Sequence, residues 1–197
     1  MEALMQEIAN HLATRLRGLR KAQGWSLDRA ARATRVSKAM LGQIERGESS
    51  PTVSTLWKIA SGFAVSFSSL FAPPGADAEE GPAAETRWGR DAAGMQARVL
   101  FPFDPLLGFE MFEIELAPGA VSESSPHARG VVEHIVVVEG TLGLTLEGDE
   151  ARRLEPGEGL RFHADRHHVM RNLGEGPLRF HDVIHYLPGA ASGDASV

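Results

Sequence analysis

The chain contains no cysteine in its 197 residues, so neither a disulfide framework nor a thiolate metal site can be built from it. That absence suits a reducing compartment. No stretch approaches the ~18 consecutive apolar residues that a membrane-spanning helix needs. The opening residues, Met1-Glu2-Ala3-Leu4-Met5-Gln6-Glu7, are acidic and break their apolar run early, unlike a secretory leader. Together these absences lead to the expectation of a cytoplasmic protein. Lysine is also scarce, with none after Lys58.

The charges that are present are unevenly shared. The whole chain carries −6, yet residues 1–71 hold ten Lys/Arg against five Asp/Glu, a net of +5. The remainder holds ten Arg against twenty-one acids, a net of −11. A basic segment joined to an acidic one points to a polyanion-binding unit attached to a unit that stays clear of the polyanion.

Hydrophobic patterning changes at the same place. Ile8, Leu12, Leu16 and Leu19, then Val53, Leu56, Trp57 and Ala60, recur at helical spacing. Beyond residue 72 come β-rich runs such as Met111–Leu116 and Ile135–Val138, with turn formers read at Gly119, Gly140, Gly157 and Gly159. The Pro/Gly/Ala/Glu-rich stretch between them reads as a linker. The expected organisation is therefore a helical domain over 1–71, a linker over 72–86, a β-domain over 87–189 and a flexible tail over 190–197.

Five helices are predicted in the first domain: about Leu4 to Ala22, Leu27 to Thr34, Ser37 to Arg46, Thr52 to near Gly62, and a short one over Ser66 to Phe71. Ser26 and Ser37 are the N-cap candidates for the second and third. The second and third helices are separated by the short connection that a helix-turn-helix uses. On the third, Met40, Leu41 and Ile44 share one side at 100° per residue, and Lys38, Ala39, Gly42, Gln43 and Arg46 share the other. That outer side is polar and slim enough for a major groove ~12 Å wide. There Gln pairs bidentately with adenine, Lys or Arg contacts guanine or phosphate, and an Ala methyl meets a thymine methyl.

Three ordered blocks, Arg15–Leu27, Val36–Gly47 and Ser50–Ala60, resemble the phage-repressor (XRE) helix-turn-helix family. The resemblance implies that Ser37–Arg46 is a recognition helix, with Ser37, Lys38, Ala39, Gln43 and Arg46 facing DNA and Arg17, Arg29 and Arg35 at phosphates. Arg17 has an alternative structural role as a partner of Glu45. Two positions depart from the pattern. Arg35 stands where Gly is common, which costs about 1 kcal/mol in a left-handed turn. Arg29 replaces the acid of a capping box.

Residues 108–187 resemble the cupin family, a small antiparallel β-barrel, through Gly119–Gly140 and Pro156–Asn172. Residue-by-residue matching places His127, Glu133 and His168 at metal-ligand positions. Arg129 occupies the remaining one, and Arg cannot ligate a metal. Two imidazoles and a carboxylate suit Fe(II), Mn(II), Ni(II) or Zn(II), while Arg129 would repel a cation or grip an anionic effector. His134 substitutes as a ligand only if a bulge turns it inward beside Glu133. His163, His167, His181 and His185 are candidates by residue type.

The combined resemblance implies a non-enzymatic, homodimeric, DNA-binding transcription regulator. Its all-β cupin (double-stranded β-helix) barrel dimerises and holds a small-molecule effector or a divalent transition metal in a pocket of His127, Arg129, Glu133 and His168. Two alternatives stand beside it: a cupin oxygenase or isomerase tethered to DNA, and a constitutive DNA-binding protein whose barrel only dimerises.

Overall fold

The computed structural model describes residues 2–49, 51–71, 87–88 and 94–186. The expected linker at 72–86 and tail at 190–197 lie outside the described residues. The helical part holds four α-helices: α1 (Glu2–Ala22), α2 (Leu27–Thr34), α3 (Lys38–Glu45) and α4 (Val53–Phe63). Each of the last three starts where a hydroxyl takes up an orphan amide. Ser26 accepts from the Arg29 N–H, Ser37 from Met40 and Thr52 from Thr55. Arg35 ends α2 in the left-handed region at φ 56°, the strained turn expected from its position.

The predicted fifth helix is corrected by the structure. Only Ser68–Leu70 winds, as a single 3-10 turn. Its opening amides find their acceptor in the barrel, since the N–H groups of Phe67 and Ser68 donate to the Glu110 carboxylate at 2.8 and 2.9 Å.

The β-part comprises β1 (Arg87–Trp88), β2 (Met95–Asp104), β3 (Phe109–Leu116), β4 (Val121–Ser124), β5 (Val131–Glu139), β6 (Leu142–Leu146), β7 (Arg152–Leu154), β8 (Gly159–His163), β9 (His168–Asn172) and β10 (Leu178–Tyr186). They form a six-stranded sheet, β1-β2-β3-β10-β5-β8, and a four-stranded sheet, β4-β9-β6-β7, antiparallel throughout. Burial alternates along β3 and along β10 as far as His185, as it must when one face of a sheet meets a core. Gly140 makes a left-handed turn (φ 80°) where a Cβ would sit 2.7 Å from the Pro177 carbonyl oxygen. Gly159 is not a turn former. It begins β8, where a Cβ would press to 2.9 Å on the Ile135 carbonyl oxygen.

Helices and barrel share one apolar core rather than two. Trp57 of α4 lies at the seam, with ring centroids 4.3 Å from Phe67, 5.3 Å from Phe112 and 5.7 Å from His127. Glu110 fastens the seam from the barrel side. It is fully buried on β3, and Tyr186 at the end of β10 donates its hydroxyl to the same carboxylate. Burial pushes the Glu110 carboxyl above its ordinary range, against the four hydrogen-bonding influences that favour its charge.

Candidate nucleic-acid interface and candidate metal centre

Helix α3 turns Leu41 and Ile44 into the core and leaves Lys38, Ala39, Gln43 and Arg46 exposed. Gln43 is exposed and has no side-chain hydrogen bond among the described residues. Gly42 does not belong to the exposed face. It is buried, and a Cβ there would meet the Arg46 Nη1 at 3.2 Å, because the Arg46 chain folds back across it. Arg46 forks onto Glu48 with two 2.7 Å bonds, and Lys38 pairs with Asp28 at 2.8 Å. These pairs are solvent-exposed and exchange readily for a phosphate. The Ser37 hydroxyl is engaged as the cap of α3.

The flanking cations divide by role. Arg20 forks onto Glu45 at 2.6 and 2.8 Å, and Glu45 is only 7% exposed, so this pair pins α1 to α3. Arg17 donates to the Glu45 backbone carbonyl at 2.7 Å and stays half exposed. The structural partner of the Glu45 carboxylate is thus chiefly Arg20. Arg29 lies 5.4 Å over the Trp25 ring, and both Arg29 and Arg35 are exposed.

Inside the barrel, three residues distant in sequence converge. His127 lies in the β4–β5 connection, held by its backbone N–H to the Ala164 carbonyl at 2.9 Å. Glu133 points inward from β5, and His168 begins β9. One donor atom from each lies within 4.8 Å of the others. His127 Nε2 is 2.9 Å, and His168 Nε2 3.7 Å, from the same Glu133 oxygen, Oε1. The other oxygen, Oε2, is buried with no partner among the described residues.

The protonation pattern suits ligation. His168 Nδ1 is 3.0 Å from the Arg166 carbonyl, an acceptor only, so the ring's proton belongs on Nδ1 and the Nε2 lone pair faces Glu133. Burial lowers the pKa of His168, opposed by Glu133 and aided by His127. For Glu133 burial is the largest influence and acts upward. His168 and His127 together outweigh it and hold the carboxyl below its ordinary range. A neutral imidazole with its lone pair directed inward, beside an ionised carboxylate with an orphaned oxygen, is a donor set that fits a divalent metal.

Arg129 is not part of this site. Its side chain is exposed and is not among the residues that line the triad's cavity. His134 is also excluded, since the β5 pairing is regular through Glu133 and His134, and the ring points outward against His185 with centroids 5.2 Å apart. His163 is exposed, His167 binds Glu123 at 2.9 Å, and His181 lies 3.9 Å from Glu113.

Sequence reasoning missed two features. Asp182 is buried on the inner face of β10, on the wall of the triad's cavity, with Oδ1 unpartnered among the described residues. Its signal was available, because Asp182 falls in phase with inward-facing Leu178, Phe180 and Ile184. Ser61 of α4 is the other, with Oγ 2.8 Å from His127 Nδ1. A contact spanning 66 residues leaves no mark in local sequence.

A four-helix head with an N-capped second and third helix, set on a two-sheet barrel with a His-Glu-His cluster inside, defines the class of helix-turn-helix proteins with a cupin domain. The family models agree: residues 16–70 match the helix-turn-helix model and residues 112–184 the cupin domain model. The chain is 51% identical over 182 residues, 92% of this chain and 98% of the relative, to the HTH-type transcriptional regulator SutR of Escherichia coli strain K12. It is also similar to the crystal structure of an HTH_3 family transcriptional regulator from Vibrio cholerae, with 42% identity, 93% of this chain and 99% of that one covered, and a TM-score of 0.80. The chain belongs to this family of XRE-type helix-turn-helix, cupin-domain transcription regulators. No helix among the described residues is long and apolar enough to cross a membrane.

Proposed function

We propose that the chain is a sequence-specific DNA-binding transcription regulator, without enzymatic turnover, whose DNA affinity is set by a divalent transition metal held by His127, Glu133 and His168. The reading rests chiefly on one observation, the Ser61–His127 hydrogen bond. A hydroxyl of the DNA-binding head touches the far nitrogen of an imidazole whose near nitrogen faces the donor cluster. With the Nε2 lone pair engaged by a metal, Nδ1 carries the proton and donates to Ser61 Oγ, which fixes the ring and ties it to α4. The inner cavity holds about 20 Å³, the space of a water or an ion and far below that of an organic effector. An organic effector finds room instead in the cleft of about 330 Å³ between α4 and β4, beside Lys58 and Glu123.

Lys38, Ala39 and Gln43 read base edges, Ser37 orders the start of α3, and Arg17, Arg29, Arg35 and Arg46 contact phosphates. The working unit is a homodimer reading half-sites ~34 Å apart. The test is to strip metal with a chelator, measure metal content, and compare affinity for the operator and a random duplex with and without added Mn(II), Fe(II) or Zn(II). The reading expects stoichiometric metal and a change in operator affinity with loading. Metal that binds and turns over a substrate, with operator affinity unmoved, establishes the DNA-tethered oxygenase or isomerase instead. Operator affinity independent of metal, with none bound, leaves a constitutive binder.

A further inference from the structure

The inner cavity carries a second buried acid that the triad does not account for. Asp182 is 5% exposed, and its Oδ1 has no partner among the described residues. Its neighbours across the sheet are Ile135 on β5 and Phe112 on β3, neither of which offers a side-chain donor. The position is one that alternation along β10 fills with Phe180 and Ile184 on either side. A carboxyl in such a place destabilises the fold unless something satisfies it. Burial pushes its pKa well up, and the negative charges of Glu133 and Glu110 push it further.

The cavity wall shows what is missing. It includes Glu133 and Asp182 but no Lys or Arg. Two unpartnered carboxylate oxygens, Glu133 Oε2 and Asp182 Oδ1, are therefore enclosed with two imidazoles and no cation. A divalent ion favours the ionised form of both acids and can neutralise both, whereas an anionic ligand meets the Glu133 charge and finds no cation to pair with. Asp182 lies outside the three-residue donor cluster, so a hydrogen bond through a metal-held water suits it better than direct ligation.

We propose that Asp182 is the fourth polar member of the site, the acceptor for water held by a divalent cation, and that with Glu133 it restricts the cavity to cations. This inference rests on the metal-responsive reading above and names the ligand class of that same site. Its distinguishing consequence is a trade between stability and binding. A residue kept for packing destabilises the metal-free protein when replaced. One kept for a ligand leaves it as stable or more stable, and weakens the ligand.

The experiment uses full-length parent, Asp182→Asn and Asp182→Leu, each freed of metal with a chelator. Denaturant unfolding reads stability, and calorimetric titration with Mn(II) and with Zn(II) reads affinity. The expected result is metal-free unfolding midpoints equal to or above the parent for at least one variant, with metal affinity lowered about 10–100-fold in both. Unchanged affinity in either folded variant overturns the role of Asp182, as does a lowered midpoint in both. Should the parent itself bind neither ion, the metal-responsive reading fails and this inference falls with it. A parent that binds beside variants that bind equally well removes this inference alone.

Discussion

Single side chains decide how the head reads DNA and how it is seated. Gln43 is exposed and has no side-chain partner among the described residues, while its helix neighbours Leu41 and Ile44 are buried, so its loss should affect a base contact and not the fold. Gln43→Ala is expected to lower operator affinity by about 1–3 kcal/mol and relax preference at one base pair. Equal losses on operator and random duplex in a binding titration would contradict base readout. Arg35 is a different case, because its backbone is strained at φ 56°. Arg35→Gly should raise stability by about 1 kcal/mol in denaturant unfolding. The same change should reduce the salt slope of duplex binding by about one, as expected of a lost phosphate contact. Glu110 supplies a pH signature. Its folded pKa is raised, so its contribution to stability is complete below the ordinary carboxylate range and is lost as pH rises through the folded value. Glu110→Gln should be less stable by about 1–3 kcal/mol at acid pH, since one buried N–H loses its acceptor, and that deficit should narrow toward neutrality. A deficit that stays constant from about pH 4 to 7 would show that Glu110 titrates normally, and one that widens would show its pKa lowered by folding.

Secondary-structure elements were largely legible because their signals are local. Ser26 and Ser37 announced two helix starts by residue type, and the β-rich run Met111–Leu116 announced a strand. Reading failed where a distant group intervened. The helix expected over Ser66–Phe71 is reduced to one 3-10 turn whose opening amide is taken by Glu110, 42 residues on, and Gly42 is buried because Arg46 bends over it. His127, Glu133 and His168 could be picked out by motif matching, yet motif matching also nominated Arg129, which is exposed and does not line the cavity. The packing of α2 against α4 offers a test of such close approaches. Gly62 on α4 lies where a Cβ would be 2.5 Å from the Thr34 Cα, a backbone atom that cannot swing aside. Gly62→Ala should therefore part the two helices and cost about 1–3 kcal/mol in an unfolding titration. An unchanged midpoint would mean that α4 slides along α2 without penalty.

At the scale of the whole molecule, the question is how occupancy of a barrel cavity reaches a helix that reads DNA. A ligand shifts an equilibrium between two placements of the head only by its difference in affinity for them. The seam provides a place for that difference, since His127 is at once a member of the donor cluster and a partner of Ser61, with the Trp57 ring against it. Glu110 and Tyr186 bind the seam through a separate hydrogen bond and do not enter the cluster, so their hold on the head does not depend on its occupancy. Ser61→Ala removes the hydroxyl while leaving His127, Glu133 and His168 in place. Metal affinity should fall by about tenfold, as for other lost partners of a ligating imidazole. Metal-free operator affinity should match the parent, and the change in operator affinity on saturating with metal should shrink or vanish. That pattern separates transmission from binding, because saturation compensates for weakened metal affinity but not for a broken link. If the fully loaded Ser61→Ala protein shifted its operator affinity as much as the parent does, the head would be sensing the barrel by some route other than His127.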